Sequence, residues 1–211
     1  MHNPAPLQKL PEKISGKNVE LYAFTPAAWD RIREMNSLER TKIIECLRLP
    51  TKQASHFASR LSFSYFCLFA RLNEKPDSKR IYMPRREYFV CSLEKDCFVG
   101  TVTAYMPQPA MNVMAIGYEI LSEHRGSGYA PEASKLLTDC VLRKQLFSCI
   151  CAETKIANEA SARVLVKSGF REAAQGLCST TDVPDWQNLR VRRFIKAPTT
   201  PETWPLPVYG A

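Results

Sequence analysis

The run Arg125-Gly126-Ser127-Gly128-Tyr129-Ala130 decides the fold of this chain. Before it, Ile116-Gly117-Tyr118-Glu119-Ile120-Leu121 is β-branched and aromatic enough for a strand. After it, Pro131 suits a first helical turn. Ala133, Leu136, Leu137, Cys140 and Val141 then recur at helical spacing, with Lys135, Asp139 and Arg143 facing outward. Two glycines in a turn let the backbone approach a ligand and aim successive N–H groups at one point, and the helix adds the positive end of its dipole. Strand, glycine turn and helix in that order predict a cradle for a phosphate.

A second pattern lies downstream. A strand-like segment from Leu146 to Thr154 leads into Asn158-Glu159-Ala160-Ser161; Ala162, Leu165 and Val166 share one helical face, and Lys167-Ser168-Gly169-Phe170 follows. Asn158 is placed to cap this helix, Gly169 to supply a left-handed C-terminal residue, and Phe170 to begin a core strand. Together the two patterns resemble the GNAT superfamily of acyl-CoA-dependent N-acyltransferases. Its phosphate motif reads Gln/Arg-x-x-Gly-x-Gly/Ala between strand and helix, and its next motif is an Asn-led helix ending in Gly-Phe. Within it the chain is most similar to the RimJ/RimL subgroup, through Asn-x-x-Ser and the Ile-Gly-Tyr before the cradle, over roughly residues 17 to 196. The first strand departs from that subgroup: Asn18-Val19-Glu20-Leu21-Tyr22 lacks its two arginines, and no acidic residue follows around Thr25-Pro26-Ala27-Ala28-Trp29.

The resemblance implies an α/β (α+β) fold of the GNAT type, a mixed, mostly antiparallel central sheet of about 6–7 strands flanked by helices. It implies acetyl-CoA (coenzyme A) as co-substrate. The main chains of Ile120 and Leu121 would follow the pantetheine arm. Arg125 and the N–H groups of Gly126, Ser127, Gly128, Tyr129 and Ala130 would hold the pyrophosphate, and Asn158 would offer its side-chain amide. Tyr129 also reads as a packing residue at the helix start. Many relatives place a tyrosine near the position of Leu165 to protonate the departing thiolate. Leucine cannot do this, so Ser161, placed as in the subgroup, is the candidate acid.

Acyl transfer from a thioester to an amine needs a neutral amine, a polarised carbonyl and a protonated leaving group. Glu119 alternates with Tyr118 and Ile120, so its carboxylate lies on the other strand face, a candidate base acting through water. Glu153, at the end of the next strand, competes with it, and either also reads as a solvated strand carboxylate. An ordinary histidine titrates in the useful range, but His124 lies in the cradle loop, where solvent contact is expected.

With 211 residues, 45% hydrophobic and 24% charged, the chain has the size and composition of one α/β domain, assigned to residues 17–197. Residues 1–16, with Pro4, Pro6 and Pro11, read as a loosely held, flexible arm, and 198–211 as an extended proline-rich tail. Between them are expected a strand at Val19, Leu21 and Ala23, a helix from Thr25 to about Met35, and two helical segments capped by Ser37 and Thr51 and ending near Leu72. A meander over Glu87–Leu93, Phe98–Met106 and Met111–Leu121 precedes the cradle, and closing strands lie near Phe170–Ala174 and Leu189–Ile195.

No run approaches the ~20 apolar residues of a membrane helix, and no signal-peptide pattern opens the chain, so a cytoplasmic protein without a membrane partner is expected. Eight cysteines, such as Cys91, Cys140, Cys149 and Cys151, fall mostly inside predicted elements. Without Cys-x-x-Cys or His-x₃-His spacing they read as reduced thiols, with no metal site. The net charge of +8 suits a phosphate-bearing cofactor. The clusters Lys79, Arg80, Arg85, Arg86 and Arg190-Val191-Arg192-Arg193 lack interleaved aromatics, so direct nucleic-acid binding is not expected. Monomer and homodimer both remain open. The expected function is acetyl-CoA-dependent acetylation of a primary amine, with a protein N-terminal α-amine the leading acceptor by subgroup resemblance. The alternatives are a small-molecule amine (polyamine, aminoglycoside or amino acid) and a non-catalytic acyl-CoA-binding regulatory domain.

Overall fold

The structure, a computed structural model, describes residues 6–46, 85–107, 112–178 and 189–197. The helical segment expected from Thr51 to Leu72 and the proline-rich tail lie outside them. Eight strands, β1 (Lys13–Ser15), β2 (Val19–Ala23), β3 (Arg85–Ser92), β4 (Cys97–Tyr105), β5 (Val113–Ile120), β6 (Cys149–Lys155), β7 (Arg171–Leu177) and β8 (Arg190–Lys196), form one sheet in the order β1-β2-β3-β4-β5-β6-β8-β7. Every neighbouring pair is antiparallel except β5 and β6.

The central strands are buried on both faces, which is why Tyr88-Phe89-Val90-Cys91 reads as an unbroken apolar run. On one face Tyr88, Val90, Val102, Met114 and Ile116 meet Ala133, Leu137 and Val141 of α3 (Tyr129–Arg143), joined by Ala162 and Leu165 of α4 (Glu159–Lys167). On the other, Phe89, Cys91 and Phe98 pack against Ile32 of α1 (Trp29–Glu34) and Ile43 of α2 (Ser37–Cys46). Strand β4 carries one extra residue, Val99, between the pairs Val90↔Gly100 and Cys91↔Phe98. Beside it a Cβ on Gly100 would lie 2.1 Å from the Glu119 carbonyl oxygen, so only glycine lets β4 and β5 meet there.

Three expectations are corrected. The arm predicted for residues 1–16 is folded from Pro6 onward, because Leu7, Leu10 and Ile14 are buried in the main core, each contributing about 1.5–3 kcal/mol when fully buried. That segment adds β1, which brings the sheet to eight strands where about 6–7 were expected. Helix α2 is capped by Asn36 rather than Ser37: Asn36 Oδ1 accepts from Glu39 N–H (3.0 Å) while Asn36 N–H donates to Glu39 Oε2 (3.1 Å), a reciprocal capping box.

The same arm supplies a carboxylate where the sequence after β2 lacks one. The Thr25 hydroxyl donates to Glu12, and Arg86 Nη2 donates to its other oxygen at 2.8 Å. Glu132 makes a similar tie between β2 and α3, accepting from Asn18 N–H (2.7 Å) and Asn18 Nδ2 (2.8 Å).

Candidate active site

The glycine turn leaves β5 through Ser122–His124 and enters α3 with Gly126 and Gly128 both at φ 82, in the left-handed region. A Cβ on either would meet nothing within 4 Å, so these glycines are required by backbone conformation and leave open space over the turn. No side chain caps α3, and Gly126, Ser127 and Gly128 are exposed. The first N–H groups of the helix, at the positive end of a fifteen-residue dipole, are thus free for an anion. Arg125 is exposed, and its Nε donates to the Ile120 carbonyl (3.0 Å), which holds the guanidinium at the turn. The Tyr129 side chain is 5% exposed, with its hydroxyl 3.1 Å from Ser92 Oγ, so it packs in the core and offers the cradle only its N–H. Ala130 packs half-buried against the same core.

Beside the cradle the sheet opens. Leu121 N–H donates to the Val99 carbonyl (3.0 Å), continuing the β4–β5 register, so odd-numbered β5 residues bond to β4 and even-numbered ones turn their main chain toward β6. Strand β6, however, pairs only with Val113, Met114 and Ala115. Among the described strands nothing therefore pairs with the main chain of Tyr118 or the N–H of Ile120. Leu121, expected along the pantetheine arm, has both main-chain groups engaged, its carbonyl accepting from His124 N–H (2.9 Å). The open groups are therefore those of Tyr118 and the N–H of Ile120, of which only Ile120 was expected from sequence.

Across this seam stands the first turn of α4. Asn158 caps it, its Oδ1 accepting from Ser161 N–H (3.0 Å), which leaves its Nδ2 pointing to no described partner. Ser161 is half-buried, and its Oγ lies 2.8 Å from the Tyr118 hydroxyl, which is also 3.0 Å from the Ser161 carbonyl oxygen. Burial pushes the Tyr118 phenol up to about 12, the Ser161 bond acting in the opposite sense, so the hydroxyl keeps its proton at neutral pH. Sequence reasoning gave Tyr118 no role. Its signals were the Ile-Gly-Tyr pattern and the strand alternation that sets it opposite Glu119.

Glu119 is exposed on the α1/α2 face of β5, and its carboxylate makes no hydrogen bond or ion pair with the described residues. Its competitor is committed elsewhere. Glu153, its side chain 7% exposed, accepts from Arg193 Nε (3.3 Å) and from Cys178 Sγ (3.2 Å). His124 is half-buried rather than solvated. It lies edge-on to Tyr129 with ring centroids 6.4 Å apart, and burial lowers its pKa.

The basic run of β8 is largely spent inside the protein. Arg192 bonds Glu159 (2.8 Å) and Glu172 (2.6 Å), and Arg193 holds Glu153. Near the cradle, Lys42 of α2 pairs with Glu123 and holds its carboxyl down to about 2. Cys91, Cys97, Cys140, Cys149, Cys151 and Cys178 are free thiols, no cluster of described residues is arranged to hold a metal ion, and no described helix is long and apolar enough to cross a membrane.

Comparison with known proteins agrees with this geometry. Residues 19–171 match the family described as an acetyltransferase (GNAT) domain. No protein of curated function matches the sequence significantly. Among solved structures, the ribosomal α-N-protein acetyltransferase RimL in complex with coenzyme A aligns with TM-score 0.55 at 14% identity, over 88% of this chain and 98% of that one. A ribosomal-protein alanine acetyltransferase from Vibrio fischeri aligns with TM-score 0.56 at 14% identity (88% and 96%). A chimera of the spermidine N-acetyltransferase SpeG from Vibrio cholerae and hSSAT aligns with TM-score 0.54 at 12% identity (86% and 96%). An uncapped glycine cradle beside an opened parallel seam, inside the matched residues, leads to the conclusion that the chain belongs to the GNAT family of acetyl-CoA-dependent acetyltransferases.

Proposed function

We propose that this protein acetylates the N-terminal α-amine of a protein substrate, with Ser161 as acid and Glu119 as base. The observation that carries the reading is the seam between β5 and β6. It passes through the sheet, so a thioester held there is open to Tyr118 and Ser161 on the α3/α4 face and to Glu119 on the α1/α2 face. The donor side fits acetyl-CoA. The uncapped N–H groups of residues 127–130 and Arg125 would hold its pyrophosphate, the open main chain of Tyr118 and Ile120 its pantetheine arm, and Asn158 Nδ2 a further polar group. Bound there, acetyl-CoA supplies an activated acetyl thioester.

The residues of the chain do the rest. Glu119 accepts the amine proton, directly or through one water, so that the nitrogen attacks as a neutral amine. The Ser161 hydroxyl donates toward the sulfur as negative charge develops on it. The acceptor choice follows the RimJ/RimL resemblance and the likeness to RimL and the alanine acetyltransferase; the spermidine enzyme supports the competing polyamine reading.

Thiol release from acetyl-CoA, measured with peptides bearing free or blocked N-termini and with spermidine, aminoglycosides and amino acids, tests this. Turnover with free α-amines and none with blocked ones is expected. Turnover with small amines alone replaces the acceptor, and tight acetyl-CoA binding without turnover on any amine replaces the enzyme with a binding domain.

A further inference from the structure

The Tyr118 hydroxyl has one proton and two acceptors, both on Ser161: the carbonyl oxygen at 3.0 Å and Oγ at 2.8 Å. If the proton goes to the carbonyl, Ser161 must donate its own proton to Tyr118 to fill the 2.8 Å contact, and that proton points away from any leaving group. If it goes to Oγ, the serine proton is released. The two states differ by rotation of one phenolic O–H. We propose that Tyr118 is the positioning residue of the acid: reaching from β5 across the open seam, it turns its hydroxyl from the Ser161 carbonyl to Oγ and so frees the serine proton for the departing sulfur. The proposal rests on the reading of Ser161 as the acid.

The balance closes without another reactant. The amine lone pair forms the N–C bond, and the C–S pair leaves on sulfur. Ser161 passes its proton to sulfur and recovers one from water, to which Glu119 releases the proton lost by the amine; Tyr118 keeps its own proton throughout and only directs it to Oγ. Chained hydroxyls polarise one another, so a donor into Oγ makes the serine a better donor in turn. Without the phenol, no other described side chain fixes the rotation of the Ser161 hydroxyl.

The test is Tyr118→Phe, which keeps the ring, made in the wild-type and Ser161→Ala backgrounds and followed by steady-state kinetics, calorimetric acetyl-CoA affinity and thermal midpoint. In the wild-type background kcat should fall about ten-fold, the equivalent of one hydrogen bond, with KM and Kd for acetyl-CoA unchanged. In the Ser161→Ala background the same change should cost nothing further. An equal loss in both backgrounds, or a loss confined to KM, overturns the proposal and leaves Ser161 as the acid. Full activity of Ser161→Ala overturns the acid assignment, and the proposal with it.

Discussion

Replacing Gly128 by alanine separates what the cradle costs the fold from what it gives the ligand. At φ 82 an L-residue pays roughly 1–2 kcal/mol, and because a Cβ there would meet no atom within 4 Å, no clash adds to it. In a domain of this size each kcal/mol moves the thermal midpoint by about 2–4 °C, so Gly128→Ala should still fold and melt about 2–8 °C lower. Affinity is a separate matter. The new methyl enters the open space beside the uncapped N–H groups of α3, where the proposed phosphate would have to approach closely. Acetyl-CoA should bind at least about ten-fold more weakly, or 1.4 kcal/mol, and Gly128→Val should remove most of the binding. Calorimetric titration with acetyl-CoA and with pantetheine, which carries no phosphate, is the assay, since pantetheine should bind wild type and variant alike. An unchanged acetyl-CoA Kd in folded Gly128→Val, or an equal loss for pantetheine, would show that the turn is not the phosphate site.

Ser161→Ala should lower kcat by about 100-fold with acetyl-CoA affinity nearly intact, as steady-state kinetics and calorimetry can establish. Glu119→Gln should erase the acidic limb of the pH–rate profile, and a wild-type profile would remove Glu119 from the mechanism. Burial alone would raise the Glu132 carboxyl, but the amides of Asn18, Val19 and Lys17 hold it below its ordinary 4.5. Its stabilisation is therefore complete above about pH 4.5 and lost as pH falls through the lower folded-state value. Denaturation midpoints from about pH 6 to about pH 3 should fall less steeply in Glu132→Gln than in wild type. Arg193→Met removes the guanidinium that donates to buried Glu153 and should cost on the order of 3–5 kcal/mol in chemical denaturation, whereas a loss near zero would mean that other groups or water satisfy the carboxylate.

Local chemistry made the centre of the fold legible from sequence. The α3 stripe of Ala133, Leu137, Cys140 and Val141 is buried as its spacing predicts, Asn158 caps α4, and Gly169 is left-handed at φ 87 before buried Phe170. These features depend on neighbours three or four residues away. What escaped depends on partners far along the chain. Leu7, Leu10 and Ile14 have no period of their own and are fixed by a core assembled from later strands. Tyr118 gains meaning only when α4 returns across the seam to meet it, forty-three residues on. Glu153 and Glu119 look equivalent as strand carboxylates until β8 brings Arg193 beside one of them.

Strand β1 has a further consequence, for association between molecules. Its three residues pair with β2, and its flanking Lys13 and Ser15 are exposed, so the sheet ends on that side in a short, charged border. A chain trimmed at Lys17 would keep every cradle and seam residue yet leave the whole of β2, with Val19, Leu21 and Ala23 facing the core, as a bare edge beside the space vacated by Leu7, Leu10 and Ile14. Such an edge is a template for a second copy. The shortened protein should therefore self-associate through β2 in a concentration-dependent way that size-exclusion chromatography would detect.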